Sequence, residues 1–390
     1  MPNHAFAPTP EDLAAGIRLR HALHRAPELS GAEQATAATI ADAMRAAGAD
    51  TVLTGLGGHG VAAIFEGGAP GPAVMLRAEL DALPIREETG VDHRSQVAGR
   101  GHLCGHDGHM AILCTVARVL GRARPPRGRT ILLFQPAEED GTGAQAVLAD
   151  PRTGTLAPDL ILALHNLPGL DLGHVALAEG RVACASRGMR IALAGRAAHA
   201  SQPETGVSPR HALARLMEAL PQLSSKRPFP HKDFKLVTIA HVSMGARAFG
   251  ISPGEGEIWA TLRSLEDQAM DELVAEAEAL ARTEAAENGL DVRIDYHEVF
   301  AASHNDPAAV AVLRHALDAG GIPHSPEGQP WRPSEDFGLL GRLAPSAMLF
   351  LGSGVQQPPL HDPQFDFPDA LVDIGARIFL GTLVQELREA

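Results

Sequence analysis

"RTILLFQPAEED" spans residues 129–140. A short apolar run leads into a proline and then three acids. A strand with one face in water alternates apolar and polar residues, whereas one covered on both faces reads as continuous apolar sequence. The same design recurs at "PDLILALHNLP" (158–168) and "PSAMLFLGSG" (345–354). "GVAAIFEG" (60–67) and "PAVMLRAEL" (72–80) are similar runs bounded by glycine or proline. "HMAILCTVARVLGRA" (109–123) lies between them and reads as a helix. Strands alternating with helices predict an α/β domain with a mostly parallel central sheet flanked by helices.

Outward from this core, residues 10–48 read as helical, with Pro10 and two acids at the entry and Gly48 at the exit. Residues 306–321 and 368–390 read as further helices. The pattern changes between 187 and 297. There, alternating strand-like segments and two helices follow the order β-α-β-β-α-β, that of a ferredoxin-like α+β motif. The expected organisation is a discontinuous catalytic domain, residues 1–186 and 298–390, carrying an inserted domain at 187–297.

Bulk properties agree with a two-domain globular protein. The 390 residues exceed one ordinary core. The net charge of −14, with no basic stripe, argues against nucleic acid as a partner. No apolar stretch reaches the length of a membrane span. The N-terminal "MPNHAFAPTPEDLAAG" lacks the basic and apolar regions of a secretory signal. Three cysteines, an odd number without framework spacing, fit a reducing cytoplasm.

In open α/β sheets, ligands bind beyond the carboxyl ends of the strands. Polar residues collect at that kind of place here. Asp81 follows one strand, Glu138 and Glu139 another, His165 ends a third, and His361 follows the last. The remaining dense cluster is "GHLCGHDGH" (101–109), with three histidines, a cysteine and an aspartate ahead of a helix. Alone it fits three readings: a thiol nucleophile with its base, one weak zinc site, or a histidine-rich loop. Beside the glutamate pair and the two later histidines, Cys104, His106, Glu139, His165 and His361 offer five ligands of mixed softness. Such a set suits two divalent cations sharing a bridging group, with zinc, manganese, cobalt or nickel all admissible. Asp107 suits a helix cap or a ligand support, His102 and His109 suit structural roles, and Glu335 and Asp336 are expected near His361. Arg263 in the inserted segment and Asn166 beside His165 are candidates for substrate contact, the guanidinium fork matching a carboxylate.

In the order they occur, "LRAELDALPIREETG" (76–90), "HLCGHDGHMAIL" (102–113), "LLFQPAEEDGTGA" (132–144), "LHNLPGLDLG" (164–173), "GRAAHASQPETGVSP" (195–209), "SEDFGLL" (334–340) and "LHDPQFDF" (360–367) form a specific series. With it the chain resembles the aminoacylase-type metallopeptidases, in the branch of hippurate hydrolases, N-acyl-amino-acid amidohydrolases and auxin-conjugate hydrolases. The resemblance implies a metal-dependent amidohydrolase of small N-acyl-amino acids, with dipeptidase or carboxypeptidase activity and a silent ligand-binding homologue as the alternatives. It implies a lid domain that mediates a homodimer. It also implies Cys104 as the ligand shared by two metals, His106 and His165 completing one site, and Glu139 and His361 the other. Glu138 would be the general base, Asp81 would orient a ligand, and His199 of the lid would stabilise the oxyanion. Four positions depart from the group's pattern: Glu79 for aspartate, Asp140 for glycine, Leu167 for an aromatic or methionine, and Gly250 for the asparagine of an Asn-x-x-Pro motif. These bear on the acyl group and amino acid rather than on the metal chemistry.

Overall fold

A computed structural model describes residues 6–388. The first five residues of the segment read for a leader, and Glu389 and Ala390 of the last helical segment, lie outside the described residues. The chain divides into two compact units. One comprises the residues up to Val182, His304–Gln329 and those from Asp336 onward; the other comprises Ala183–Ser303 and Pro330–Glu335.

The first unit is built on an eight-stranded sheet. Its four central strands, Arg129–Gln135, Ala73–Glu79, Leu160–Leu167 and Ser346–Gly352, lie side by side in that order and run parallel. Toward the edges the pairing turns antiparallel, as where Thr51–Leu56 pairs with Gly60–Glu66. The sequence reading missed Thr51–Leu56. Only three residues separate it from its neighbour, and so short a link permits only a hairpin. Its mixed burial hides the apolar signal that marks the central strands.

One face of the sheet carries Val74, Leu76, Leu132, Phe134, Leu162, Leu164 and Leu349. These pack with Ile40, Met110, Leu113, Val310, Leu371 and Phe379 of the covering helices in one core cluster. On the opposite face Met75, Ile131, Leu133, Ile161 and Met348 are buried as well. Burial on both faces is why these strands read as unbroken apolar runs. At roughly 1.5–3 kcal/mol for each fully buried large aliphatic side chain, this core is the main stabilising term of the unit. The helix Pro10–Arg25 begins with a capping box, in which Thr9 Oγ1 accepts from Asp12 N–H and Asp12 reaches back to Thr9 N–H.

The second unit is a four-stranded antiparallel sheet in the order Lys235–Met244, Glu255–Ser264, Ala185–Ala194, Asp291–Phe300. The helices Arg210–Ala219 and Asp267–Glu287 supply Leu213, Leu216, Leu273 and Ala277 to a core with Met189, Ile191, Ile258 and Leu262. A separate two-residue ladder pairs Ala198–His199 with Ile251–Ser252.

Candidate metal centre

The first unit gathers six of the singled-out side chains beyond the carboxyl ends of its central strands. Cys104 Sγ lies 3.5 Å from His165 Nε2. His106 Nε2 lies 3.8 Å from Glu139 Oε1 and 3.9 Å from Glu138 Oε2. His361 Nε2 lies 3.6 Å from Glu139 Oε2. Cys104, His106 and His165 are buried, and His361 is exposed on the open side. Their donor atoms form overlapping groups: Cys104 with His106 and His165, Cys104 with Glu139 and His361, and His106 with Glu138 and Glu139.

The local backbone sets this arrangement. His106 is the first residue of the helix His106–Arg122, behind Gly105 at φ 92°. A Cβ at Gly105 would sit 2.3 Å from Asn166 Oδ1, so conformation and space both require glycine there. His361 (φ 67°) and Ala137 (φ 50°), one residue before Glu138, also lie in the left-handed region, which side-chain-bearing residues occupy at a cost. His361 N–H donates to Leu103 O at 2.9 Å and ties its loop to the cysteine loop. Asp140 Oδ1 accepts from Thr142 N–H at 3.0 Å, so its carboxylate braces the turn after the glutamate pair.

The outer nitrogens of both buried histidines are held. His106 Nδ1–H donates to Asp81 O at 2.9 Å, and His165 Nδ1–H donates to Asn166 O at 2.8 Å. The proton is thereby kept on Nδ1, and the Nε2 lone pair of each faces the cluster. Asp81 Oδ2 accepts from Ser30 Oγ at 2.8 Å and from Glu139 N–H at 2.9 Å. One aspartate therefore fixes a histidine and a glutamate together.

This donor set fits a cation. His106 Nε2 is a buried nitrogen with no hydrogen-bond partner, which costs on the order of 1–3 kcal/mol unless something binds it. Ligands on a tetrahedral ion at bond lengths of 2.0–2.3 Å stand about 3.3–3.8 Å apart, matching the separations above. Electrostatics agree. Burial opposes charge on His106, yet the Asp81, Glu79 and Glu139 carboxylates overcome it and push the imidazole up to about 10. Burial first, and then Glu139 and Glu138, drive the Cys104 thiol well above its ordinary value. A thiol so placed is protonated and a poor nucleophile without a neighbouring cation. That direction disfavours the thiol-with-base reading of the loop, although His165 Nε2 lies 3.5 Å from the sulfur.

A second layer lies behind the first. His109 Nδ1 is 2.7 Å from Glu79 Oε2, and Nε2 is 2.7 Å from Asn166 Oδ1. Glu79 also bonds the buried Arg77, whose Nη2 donates to Asp336 at 2.8 Å and Nε to Gln135 at 3.0 Å. Burial works against the Glu79 charge, but Arg77 and His109 outweigh it and hold the carboxyl well below its usual range. Asn166 is buried, with its Oδ1 2.7 Å from His109 Nε2. Two expectations are corrected here. Asp336 is spent on Arg77, Gln135 Nε2 and Ala144 N–H, in support of the sheet rather than of His361. Asp107 is no cap, since Gly105 holds that position; its carboxylate bonds Arg20 at 3.1 Å and His24 Nδ1 at 2.9 Å. Arg77 went unread, although an arginine inside the apolar run "AVMLRAEL" was the available signal, because a charge there must have buried partners.

His199 and Arg263 belong to the second unit. His199 is exposed, its Nδ1 2.8 Å from Ser201 Oγ. Arg263 Nη1 donates to Arg332 O at 3.1 Å and to Ser334 Oγ at 2.7 Å.

Residues 75–385 match the peptidase family M20/M25/M40. The chain belongs to that family. It is 30% identical over 365 residues, covering 93% of this chain and 86% of the relative, to an N-acetyl-L-cysteine deacetylase of Bacillus subtilis. It is 28% identical over 373 residues, covering 95% and 96%, to a hippurate hydrolase of Campylobacter jejuni. Among solved structures it is similar to the Bacillus subtilis YXEP protein, described as a dinuclear metal binding peptidase. The TM-score is 0.79 at 25% identity, over 97% of this chain and 98% of that one. The M20 chain described here is accordingly a hydrolase of amides. No helix among its described residues is long and apolar enough to cross a membrane.

Proposed function

We propose that this M20 enzyme cleaves the amide bond of small N-acyl-amino acids with two divalent cations per chain. Cys104, His106, Glu139, His165 and His361 would hold them, with Cys104 the ligand common to both sites, His106 and His165 completing one, and Glu139 and His361 the other. The carrying observation is the buried, unpartnered Nε2 of His106 facing two carboxylates at ligand-to-ligand distance. When bound, the cations supply a water of lowered pKa and polarise the scissile carbonyl. Glu138, at the inner edge of the same cluster, would accept a proton from the attacking water and pass it to the leaving amine. Asp81, through His106 and Glu139, keeps the ligand atoms turned inward. His199 donates to the developing oxyanion, a contribution of about 3–4 kcal/mol for such a donor. In this reading the second unit acts as a lid and joins two chains into a homodimer, and the three buried free cysteines suit the cytoplasm.

The test is Glu138→Gln with a substrate panel. The variant is expected to keep its metals and lose roughly 10²–10⁴-fold in kcat. Retained turnover would refute Glu138 as the base. N-acetyl and N-benzoyl amino acids are expected to be cleaved faster than dipeptides; the reverse preference would establish the dipeptidase alternative.

A further inference from the structure

The loop that carries His361 runs from the strand Ser346–Gly352 to the helix Ala370–Glu386. Of the five proposed ligands His361 is the least enclosed, its side chain 49% exposed. Two later residues of that loop, Asp366 and Phe367, fasten it to the helix that His106 opens, and both meet Arg20.

Arg20 comes from the helix Pro10–Arg25 and is fully buried. Its Nη1 donates to Asp107 Oδ2 at 3.1 Å and to Asp366 Oδ1 at 2.9 Å, and its Nε donates to Asp369 Oδ1 at 2.6 Å. Asp107 directly follows His106, and Asp366 and Asp369 follow His361 in its loop. A single guanidinium nitrogen therefore bridges the two segments that bear these ligands. The guanidinium also lies over the Phe367 ring, 5.9 Å from its centroid. That ring presses on the start of the helix, where a Cβ at Gly108 would sit 2.4 Å from Phe367 Cγ. Without Arg20, three carboxylates that share one cation would repel one another. A lysine would keep the charge but not the planar fork that joins them.

We propose that Arg20 is a positioning residue for the metal centre. It sets the place of His361 relative to the ligands at the helix start, and so governs the affinity for the cation that Glu139 and His361 complete. This rests on the two-cation reading above. His106 and His165 are anchored separately, by main-chain carbonyls, so the cation they complete depends less on Arg20.

The experiment titrates metal-stripped protein with cobalt(II), reading bound metal by equilibrium dialysis and ligation by the visible spectrum. His361→Ala identifies which binding step belongs to the His361 site. Asp12→Asn removes a buried acid of the same helix whose partners are Thr9, Arg118 and Arg122, and reports what lost stability alone does. Arg20→Lys is expected to weaken the His361 step about tenfold or more, and Asp366→Asn to weaken it less, with the other step within about twofold in both. Asp12→Asn is expected to leave both steps in place. Unchanged steps in Arg20→Lys, or equal weakening of the two, overturn the proposal, as does the same selective loss in Asp12→Asn. If Arg20→Lys does not fold, Asp366→Asn decides alone, and an unaltered His361 step in it overturns the proposal. A wild type that binds fewer than two cobalt ions overturns the two-cation reading itself, a result distinct from the others.

Discussion

Two buried clusters of histidine and carboxylate lie back to back in the first unit, and adjacent residues feed them. His106 points into one, with Cys104, His165, Glu138 and Glu139; Asp107 points into the other, with Arg20, His24, His93 and Asp366. By residue type both qualify as metal sites, and His24, His93 and Asp366 bring their donor atoms within 4.8 Å of one another. The second cluster carries its own cation. Arg20 Nη2 donates to His93 Nε2 at 2.8 Å, Nη1 to Asp366 at 2.9 Å, and Nε to Asp369 at 2.6 Å. A buried guanidinium already neutralises the carboxylates there, so a metal ion would meet repulsion. In the first cluster the buried Nε2 of His106 has no hydrogen-bond partner and faces two carboxylates. Composition nominates both as metal sites; the resident guanidinium disqualifies the second.

The largest expected effects break this comparison outright. Treatment with a strong chelator should abolish turnover, and His106→Ala should lower bound metal measured by elemental analysis. His93→Ala should leave the metal count unchanged, and a fall equal to that of His106→Ala would make the two clusters equivalent. Next in size is stability. Asp107→Asn takes from Arg20 and His24 the fully buried carboxylate they share, leaving Asp366, Asp369 and Glu87 as their counter-charges, and should cost about 3 kcal/mol in denaturant unfolding.

A smaller effect is pH-dependent. Burial works against charge on His24, but Asp107 and Glu87 prevail and raise it to about 10. A group whose folded value exceeds its unfolded value of about 6.5 stabilises fully below that lower value and ceases to as pH climbs through the higher one. Melting temperature should therefore fall between pH 6.5 and 10, and His24→Gln should flatten that slope; an equal slope in the variant would assign the loss to other groups. Smallest of all, Asp140→Gly exchanges one turn former for another and should shift stability within about 0.5 kcal/mol, which thermal unfolding can check.

The parallel centre of the sheet was legible because double-sided burial writes itself as unbroken apolar runs such as 131–134 and 160–164. The edge strand Thr51–Leu56 was not, since only Leu56 of its six residues is buried and the short turn after it was the clue. In the centre, Cys104, His106, Glu138, Glu139, His165 and His361 were legible because each follows or ends a strand or opens a helix at one sheet edge. The supporting layer was obscure. Arg20 meets Asp107 across 87 residues and Asp369 across 349, and Arg77 meets Asp336 across 259; local pattern carries no record of such partners.

The two inward-facing imidazoles are anchored by carbonyls of the main chain, at Asp81 and Asn166. A carboxylate anchor can be lost to one point mutation, but every residue carries the same carbonyl. The placement of the Nδ1 protons therefore rests on main-chain atoms, while the Asp81 carboxylate adds to the charge on His106, and the anchoring is vulnerable to insertions and deletions that slide the loops. Drift in this enzyme can rewrite what it recognises while leaving the chemistry of its ligand atoms in place.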